Sequence, residues 1–146
     1  MPIVRHRVTF KIAVLIMVTL LLAGPSVRCA AQSEMRVIEL LADKDSRFKI
    51  GGKPSPALTF KAGEEVKFRI TAKKAKTQNR NGSIHGFALI RKKDGAKVPD
   101  WDLELKPGIQ EFVLKVPDQP GEYRIVCTVI CSEGHEDMHM KVIVIA

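Results

Sequence analysis

Residues 121–146 read Gly121-Glu-Tyr-Arg-Ile-Val-Cys127-Thr-Val-Ile-Cys131-Ser-Glu-Gly-His135-Glu-Asp-Met138-His139-Met140-Lys141-Val-Ile-Val-Ile-Ala146. Tyr123, Ile125 and Cys127 share one face of an alternating segment and Arg124 lies on the other, the period-two pattern of a half-buried strand. Lys141 to Ala146 is apolar on both faces, as expected of a strand buried in a sandwich. Between the two lie Cys131, Ser132, Glu133, Gly134 and His135, which read as a loop. A strand end, a tight loop and a second strand start can converge several side chains on one point.

The same alternation recurs upstream. Val66, Phe68 and Ile70 alternate with Lys67 and Arg69, and Phe112, Leu114 and Val116 with Val113 and Lys115. Turn signals separate the runs: Gly51-Gly52, Lys61-Ala-Gly63, Asn81-Gly82, Asp94-Gly95, Pro107-Gly108 and Pro120-Gly121. No stretch after residue 35 carries a 3.6-residue apolar period. Short strands with frequent turns predict an all-β sandwich. The stretch Thr71 to Arg80 is polar and basic and reads as a solvated loop, with a docking surface as the alternative. The sole tryptophan, Trp101, falls in a loop-like Pro99-Asp-Trp-Asp stretch.

The chain has 146 residues, enough for one domain. With 45% hydrophobic and 27% charged residues it can build a core. Residues 1–31 look like a secretory signal peptide: Arg5, Arg7 and Lys11 form a positive start, Ile12 to Gly24 a largely apolar run, and Cys29, Ala30 and Ala31 a small-residue cleavage region. A spanning helix needs roughly 20 apolar residues, more than this run supplies, so an uncleaved anchor is the alternative. The domain is then expected over 32–146, in a periplasmic or other extracytoplasmic compartment, on a membrane only if the N-terminal segment is retained. The formal charge of +8 comes partly from that segment, which holds four cations and no acid; the remainder has 20 cations against 16 acids, +4. With no basic stripe interleaved with aromatics, nucleic acid is not an expected partner.

Most of the soft and imidazole donors of the body lie between Cys127 and Met140, and His85 stands apart upstream in Ser83-Ile-His85-Gly-Phe87. His85 shares a strand face with Phe87 and Leu89, which directs it inward. Thiolates, imidazole and thioether suit copper, zinc or iron–sulfur chemistry rather than magnesium or calcium, and a thioether is a common weak axial ligand of copper. After signal removal only Cys127 and Cys131 remain, and export would also allow a disulfide between them. Structural zinc on Cys127, Cys131, His135 and His139 is a further alternative, although on a regular helix that row would span about 18 Å. His139 reads as a strand-start surface residue, and Met140 as core.

The pattern C-x3-C-x3-H-x2-M with an upstream histidine resembles the dinuclear copper CuA domain of haem–copper oxidase subunit II and of nitrous oxide reductase. The resemblance continues through His85-Gly-Phe87, Val98-Pro99, Pro107-Gly108, Phe112, Pro120-Gly121 and Tyr123. It implies a cupredoxin, a Greek-key β-sandwich with two coppers at one end. It also implies bridging thiolates at Cys127 and Cys131, imidazoles at His85 and His135, a thioether at Met138 and a backbone carbonyl at Val129. Val129 stands where the family usually has Glu, and Ser132 where it often has Gly. A backbone oxygen needs no particular side chain, so the carbonyl ligand survives the first change. No counterpart of the family's paired transmembrane helices or aromatic electron-entry patch is recognised.

The implied function is electron transfer, not enzymatic turnover by the chain alone. The implied partner is a redox protein such as a c-type cytochrome, a terminal oxidase or a reductase. A mononuclear blue-copper-like site and copper storage or delivery are the alternatives. Glu122, Glu133, Glu136 and Asp137 surround the site in sequence. They read either as ordinary solubilising charge or as an acidic rim for a basic partner.

Overall fold

The computed structural model describes residues 34–146. The expected signal segment, residues 1–31, with Cys29, Ala31 and His6, lies outside the described residues. The described strands are β1 (Arg36–Ala42), β2 (Phe48–Ile50), β3 (Lys53–Pro54), β4 (Leu58–Lys61), β5 (Glu65–Ala72), β6 (His85–Arg91), β7 (Lys97–Leu105), β8 (Gly108–Lys115), β9 (Gly121–Val126) and β10 (His139–Ile145). A 3-10 turn, His135–Asp137, precedes β10. No helix among the described residues is long and apolar enough to cross a membrane.

Two five-stranded sheets form the sandwich, in the orders β3-β2-β1-β5-β8 and β4-β10-β9-β6-β7. The alternation read from the sequence sets which side faces in. In β5, Val66, Phe68 and Ile70 are buried while Glu65 and Arg69 are exposed. In β9, Tyr123 and Ile125 are buried and Arg124 is exposed. Tyr123 Oη donates to the Gln119 carbonyl at 2.8 Å, which ties the entry to β9. The inward faces meet in a core of Phe48, Phe60, Phe68, Phe87 and Trp101 packed mostly edge to face, with aliphatic side chains around them.

Phe68 touches three of those rings, with centroids 6.3 Å from Phe60, 5.3 Å from Phe87 and 5.6 Å from Trp101. It is fully buried. Phe68→Ala is expected to cost about 3–5 kcal/mol, the range for emptying a buried aromatic site, and urea unfolding measures it. A midpoint unchanged from wild type would mean the cluster does not hold the sheets together.

Three sequence expectations change. First, β10 is not buried on both faces. Met140, Val142 and Val144 point into the core, but Lys141 and Ile145 are exposed and Ile143 is half-buried. The strand is central only in the hydrogen-bonding direction, paired on both sides by β4 and β9, and a two-layer sandwich has no third layer to cover its outer face. Second, Trp101 lies on β7 and in the core, its indole N–H donating to the Lys115 carbonyl at 2.8 Å. From Ala88 to Ile90 β6 advances two residues while β7 runs from Asp102 back to Lys97, a bulge that includes Asp100 at φ 64°. Period-two reading fails across such a bulge. Third, Thr71 and Ala72 finish β5; residues 73–80 form the exposed loop expected, with the Lys76 and Thr77 N–H groups bonded to the Cys131 carbonyl.

Candidate metal centre

Register builds the site. In the β6–β9 ladder Ala88 pairs with Val126, so two residues further on Gly86 lies opposite Thr128 and His85 beside the cysteine loop. The Cys127 N–H donates to the Met138 carbonyl at 3.0 Å, extending the β9–β10 pairing one step beyond His139 and Val126. Cys127 therefore sits at the end of a paired strand, not in free loop.

Gly86 makes this convergence possible. A Cβ on Gly86 would lie 2.5 Å from the Thr128 nitrogen and 3.0 Å from its Cα. Glycine within a strand marks such close backbone approaches. Its N–H also donates to the Cys127 sulfur at 3.3 Å.

The ligand atoms of His85, Cys127 and Cys131 all lie within 4.8 Å of one another, and all three residues are buried. The sulfurs are 3.9 Å apart and both cysteines are free. Two thiolates on one metal ion, each at about 2.3 Å, sit no more than about 4.6 Å apart, so this separation fits shared coordination. Cys127 has one proton and two acceptors in reach, the Cys131 sulfur and the Val129 carbonyl at 3.1 Å. The hydrogen bond between the thiols holds Cys131 well below the usual thiol range and pushes Cys127 above it, and burial adds to the rise at Cys127. Proximity to His85 and Ser46 further favours the Cys131 thiolate.

His85 is fully buried, and its Nε2 lies 2.9 Å from the Lys73 carbonyl. A carbonyl only accepts, so Nε2 carries the proton and Nδ1 keeps a free lone pair. Nδ1 is buried without a hydrogen-bond partner, as are Nδ1 of His135 and Nδ1 of His139. Buried polar atoms are nearly always partnered, so an orphaned imidazole nitrogen beside two thiols matches a ligand position. The donor set of soft sulfur and imidazole fits copper or zinc.

The remaining expected residues stand as follows. Val129 is buried with its carbonyl toward Cys127. Met138 is fully buried at the end of the 3-10 turn, in the same apolar cluster as both cysteines. His135 opens that turn and lies outside the compact group of three. Met140 is core, as expected. His139 starts β10, half-buried, and burial, with Arg124 nearby, lowers its imidazole pKa. The zinc set with His135 and His139 is not assembled among the described residues.

The four acids near the loop in sequence do not form one rim. Glu122 is bound by Lys92 at 2.7 Å and Lys141 at 3.2 Å, and lies five strand residues before Cys127, about 17 Å away. Asp137 faces Arg47 at 3.8 Å. Glu133 and Glu136 are exposed beside the loop.

Three contributors were not legible as site residues. Gly86 carried a signal, a glycine inside a strand next to the candidate histidine. The basic stretch braces the site: the N–H groups of Lys76 and Thr77 donate to the Cys131 carbonyl at 3.2 and 3.1 Å, Thr77 Oγ1 donates to the Ile130 carbonyl, and Lys73 holds His85. Ser46 lies far away in sequence, in the turn between β1 and β2, yet its hydroxyl is 3.5 Å from the Cys131 sulfur. Nothing in Asp43-Lys-Asp-Ser46 distinguishes it from an ordinary turn.

This two-sheet sandwich, with a cysteine loop and an inward histidine at one end, is a cupredoxin fold. A chain of a heme-copper terminal oxidase dimer superposes with a TM-score of 0.53 at 18% identity, over 94% of this chain and 97% of that one. Reduced rusticyanin superposes with a TM-score of 0.50 at 17% identity, over 77% and 81%. In sequence the chain is 31% identical over 97 residues to cytochrome c oxidase subunit 2 of Thermus thermophilus, covering 66% of this chain and 60% of that protein. A second Thermus thermophilus subunit 2 matches at 31% over 97 residues and 48% of its length. The chain thus spans about half to three-fifths of these relatives. No protein-family model matches it. The fold is that of the cupredoxins, and the sequence is similar to cytochrome c oxidase subunit 2 over 97 residues.

Proposed function

We propose that this domain is an exported electron-transfer protein holding a CuA-like pair of copper ions. The observation that carries the proposal is the buried group of His85, Cys127 and Cys131, with two free sulfurs 3.9 Å apart and an unpartnered Nδ1 on His85. Cys127 and Cys131 would hold the copper through their thiolates, His85 and His135 through their imidazoles, Met138 through its thioether and Val129 through its backbone carbonyl. Copper held by these residues would supply a one-electron couple.

The protein's part is to keep rearrangement small. The Gly86 N–H, the Lys73 carbonyl and the braced Cys131 backbone fix the donors from three sides. A fully protein-ligated metal has no open position for substrate, unlike catalytic metal sites. The chain is therefore an electron carrier or an electron-entry subunit. Its partners are redox proteins such as a c-type cytochrome and a terminal oxidase or reductase. Residues 1–31 serve as the export signal, placing residues 32–146 in the periplasm or an equivalent compartment. A mononuclear blue-copper-like site would leave Cys127 idle, yet Cys127 sits inside the assembled group.

Met138→Leu tests the weak-ligand assignment. The variant is expected to bind two coppers and to keep the dinuclear spectrum, with a shifted reduction potential, because an axial thioether tunes the site more than it holds the metal. Voltammetry reads the shift. An unchanged potential removes Met138 from the ligand set.

A further inference from the structure

We infer that Ser46 is a positioning residue that donates a hydrogen bond to the Cys131 sulfur and raises the reduction potential of the centre. The inference rests on the copper site proposed above.

Ser46 is 2% exposed and adopts φ 57°. This left-handed conformation suits glycine or asparagine better than serine, so the turn alone gives no reason for a serine here. The turn is well anchored: the Asp43 N–H donates to the Arg47 carbonyl at 3.0 Å, the Ser46 N–H to the Asp43 carbonyl at 3.1 Å, and Lys49 Nζ lies 2.6 Å from the Asp43 carboxylate. What serine adds is its hydroxyl, 3.5 Å from the Cys131 sulfur and 2.6 Å from the Ser132 hydroxyl.

The proton directions follow from the partners. A metal-bound Cys131 thiolate can only accept, so the Ser46 hydroxyl donates to it. The single Ser46 proton is then committed, and its oxygen accepts from Ser132. Ser132 Oγ in turn accepts the Gly134 N–H at 3.1 Å. The result is a one-way chain from the Gly134 N–H through Ser132 and Ser46 to sulfur. Each donor in it polarises the next toward the negative charge. Ser132, which departs from the family pattern, thereby has a role.

With Gly86 bonded to Cys127, each of the two sulfurs has its own donor. Such bonds draw electron density from sulfur and stabilise the reduced, more electron-rich centre, so hydrogen bonding around a cysteine ligand tunes its potential.

The test compares wild type, Ser46→Gly and Ser132→Ala, all loaded with copper. Ser46→Gly deletes the donor while easing the φ 57° backbone; Ser132→Ala leaves Ser46 in place but cuts its supply. Both are expected to reach the wild-type copper content when loaded at saturating copper. Ser46→Gly should lower the reduction potential and move the sulfur-to-copper absorption to longer wavelength, with a smaller shift of the same sign in Ser132→Ala. Full copper content with unchanged potential and absorption, or a raised potential, overturns the inference and leaves Ser46 as a turn residue only. If Ser46→Gly does not fold, Ser132→Ala decides by the same criteria. If wild type takes up no copper, the functional proposal falls, and this inference with it.

Discussion

Cys127→Ser is expected to abolish the dinuclear copper spectrum completely, and Cys131→Ser to do the same. Each sulfur bridges in the proposed centre, so neither can be lost while two ions remain coupled. The substitution is conservative in other respects. A serine hydroxyl at 127 retains the Val129 carbonyl as acceptor and the Gly86 N–H as donor, so the loss reports on sulfur and not on a hole in the core. The mononuclear alternative makes the opposite prediction for one variant only. There Cys131 alone binds the metal, and Cys127→Ser keeps the native absorption. Absorption spectroscopy with metal analysis on the two variants separates the cases, and an intact spectrum in Cys127→Ser would show the bridge assignment to be wrong.

Gly86→Ala should be nearly as damaging although it replaces no ligand. The added methyl would lie 2.5 Å from the Thr128 nitrogen, so backbone must move, and Thr128 is the residue after Cys127. Overpacking of this kind costs about 1–3 kcal/mol and sometimes more. The displaced Gly86 N–H would also leave the Cys127 sulfur. Disturbing such a supporting contact typically lowers metal affinity by about 10–100-fold. Copper competition titration with a chelator reads the affinity, and urea unfolding the stability. A variant with wild-type affinity and stability would mean that β6 and the cysteine loop are not packed as tightly as the structure has them.

The parts of the fold legible in the sequence are those where one face is buried and the other wet. Val66, Phe68 and Ile70 announced β5, and Tyr123 and Ile125 announced β9, because alternation records the sandwich directly. Trp101 was missed because the β7 bulge breaks the alternation. The outer face of β10 was misjudged because Ile143 and Ile145 are apolar although the first is only half-buried and the second exposed, and sequence cannot count layers.

The candidate site was legible for a different reason. Cys127, Cys131 and His85 carry their chemistry in their residue types and spacing, and the structure brings those three together. His135 and Met138 have the expected spacing, but that spacing does not itself assemble them with the thiols. What sequence could not supply was the support. Ser46 is 85 residues from Cys131, and the basic stretch acts through backbone N–H and C=O groups that every sequence has. Only topology decides where those groups meet.

The most direct test of a shared copper pair is electron paramagnetic resonance with metal analysis on the copper-loaded protein, its thiols kept reduced during loading. The proposed centre predicts two coppers per chain and a hyperfine pattern from one electron shared equally by both nuclei. One copper per chain with a single-nucleus pattern would contradict it.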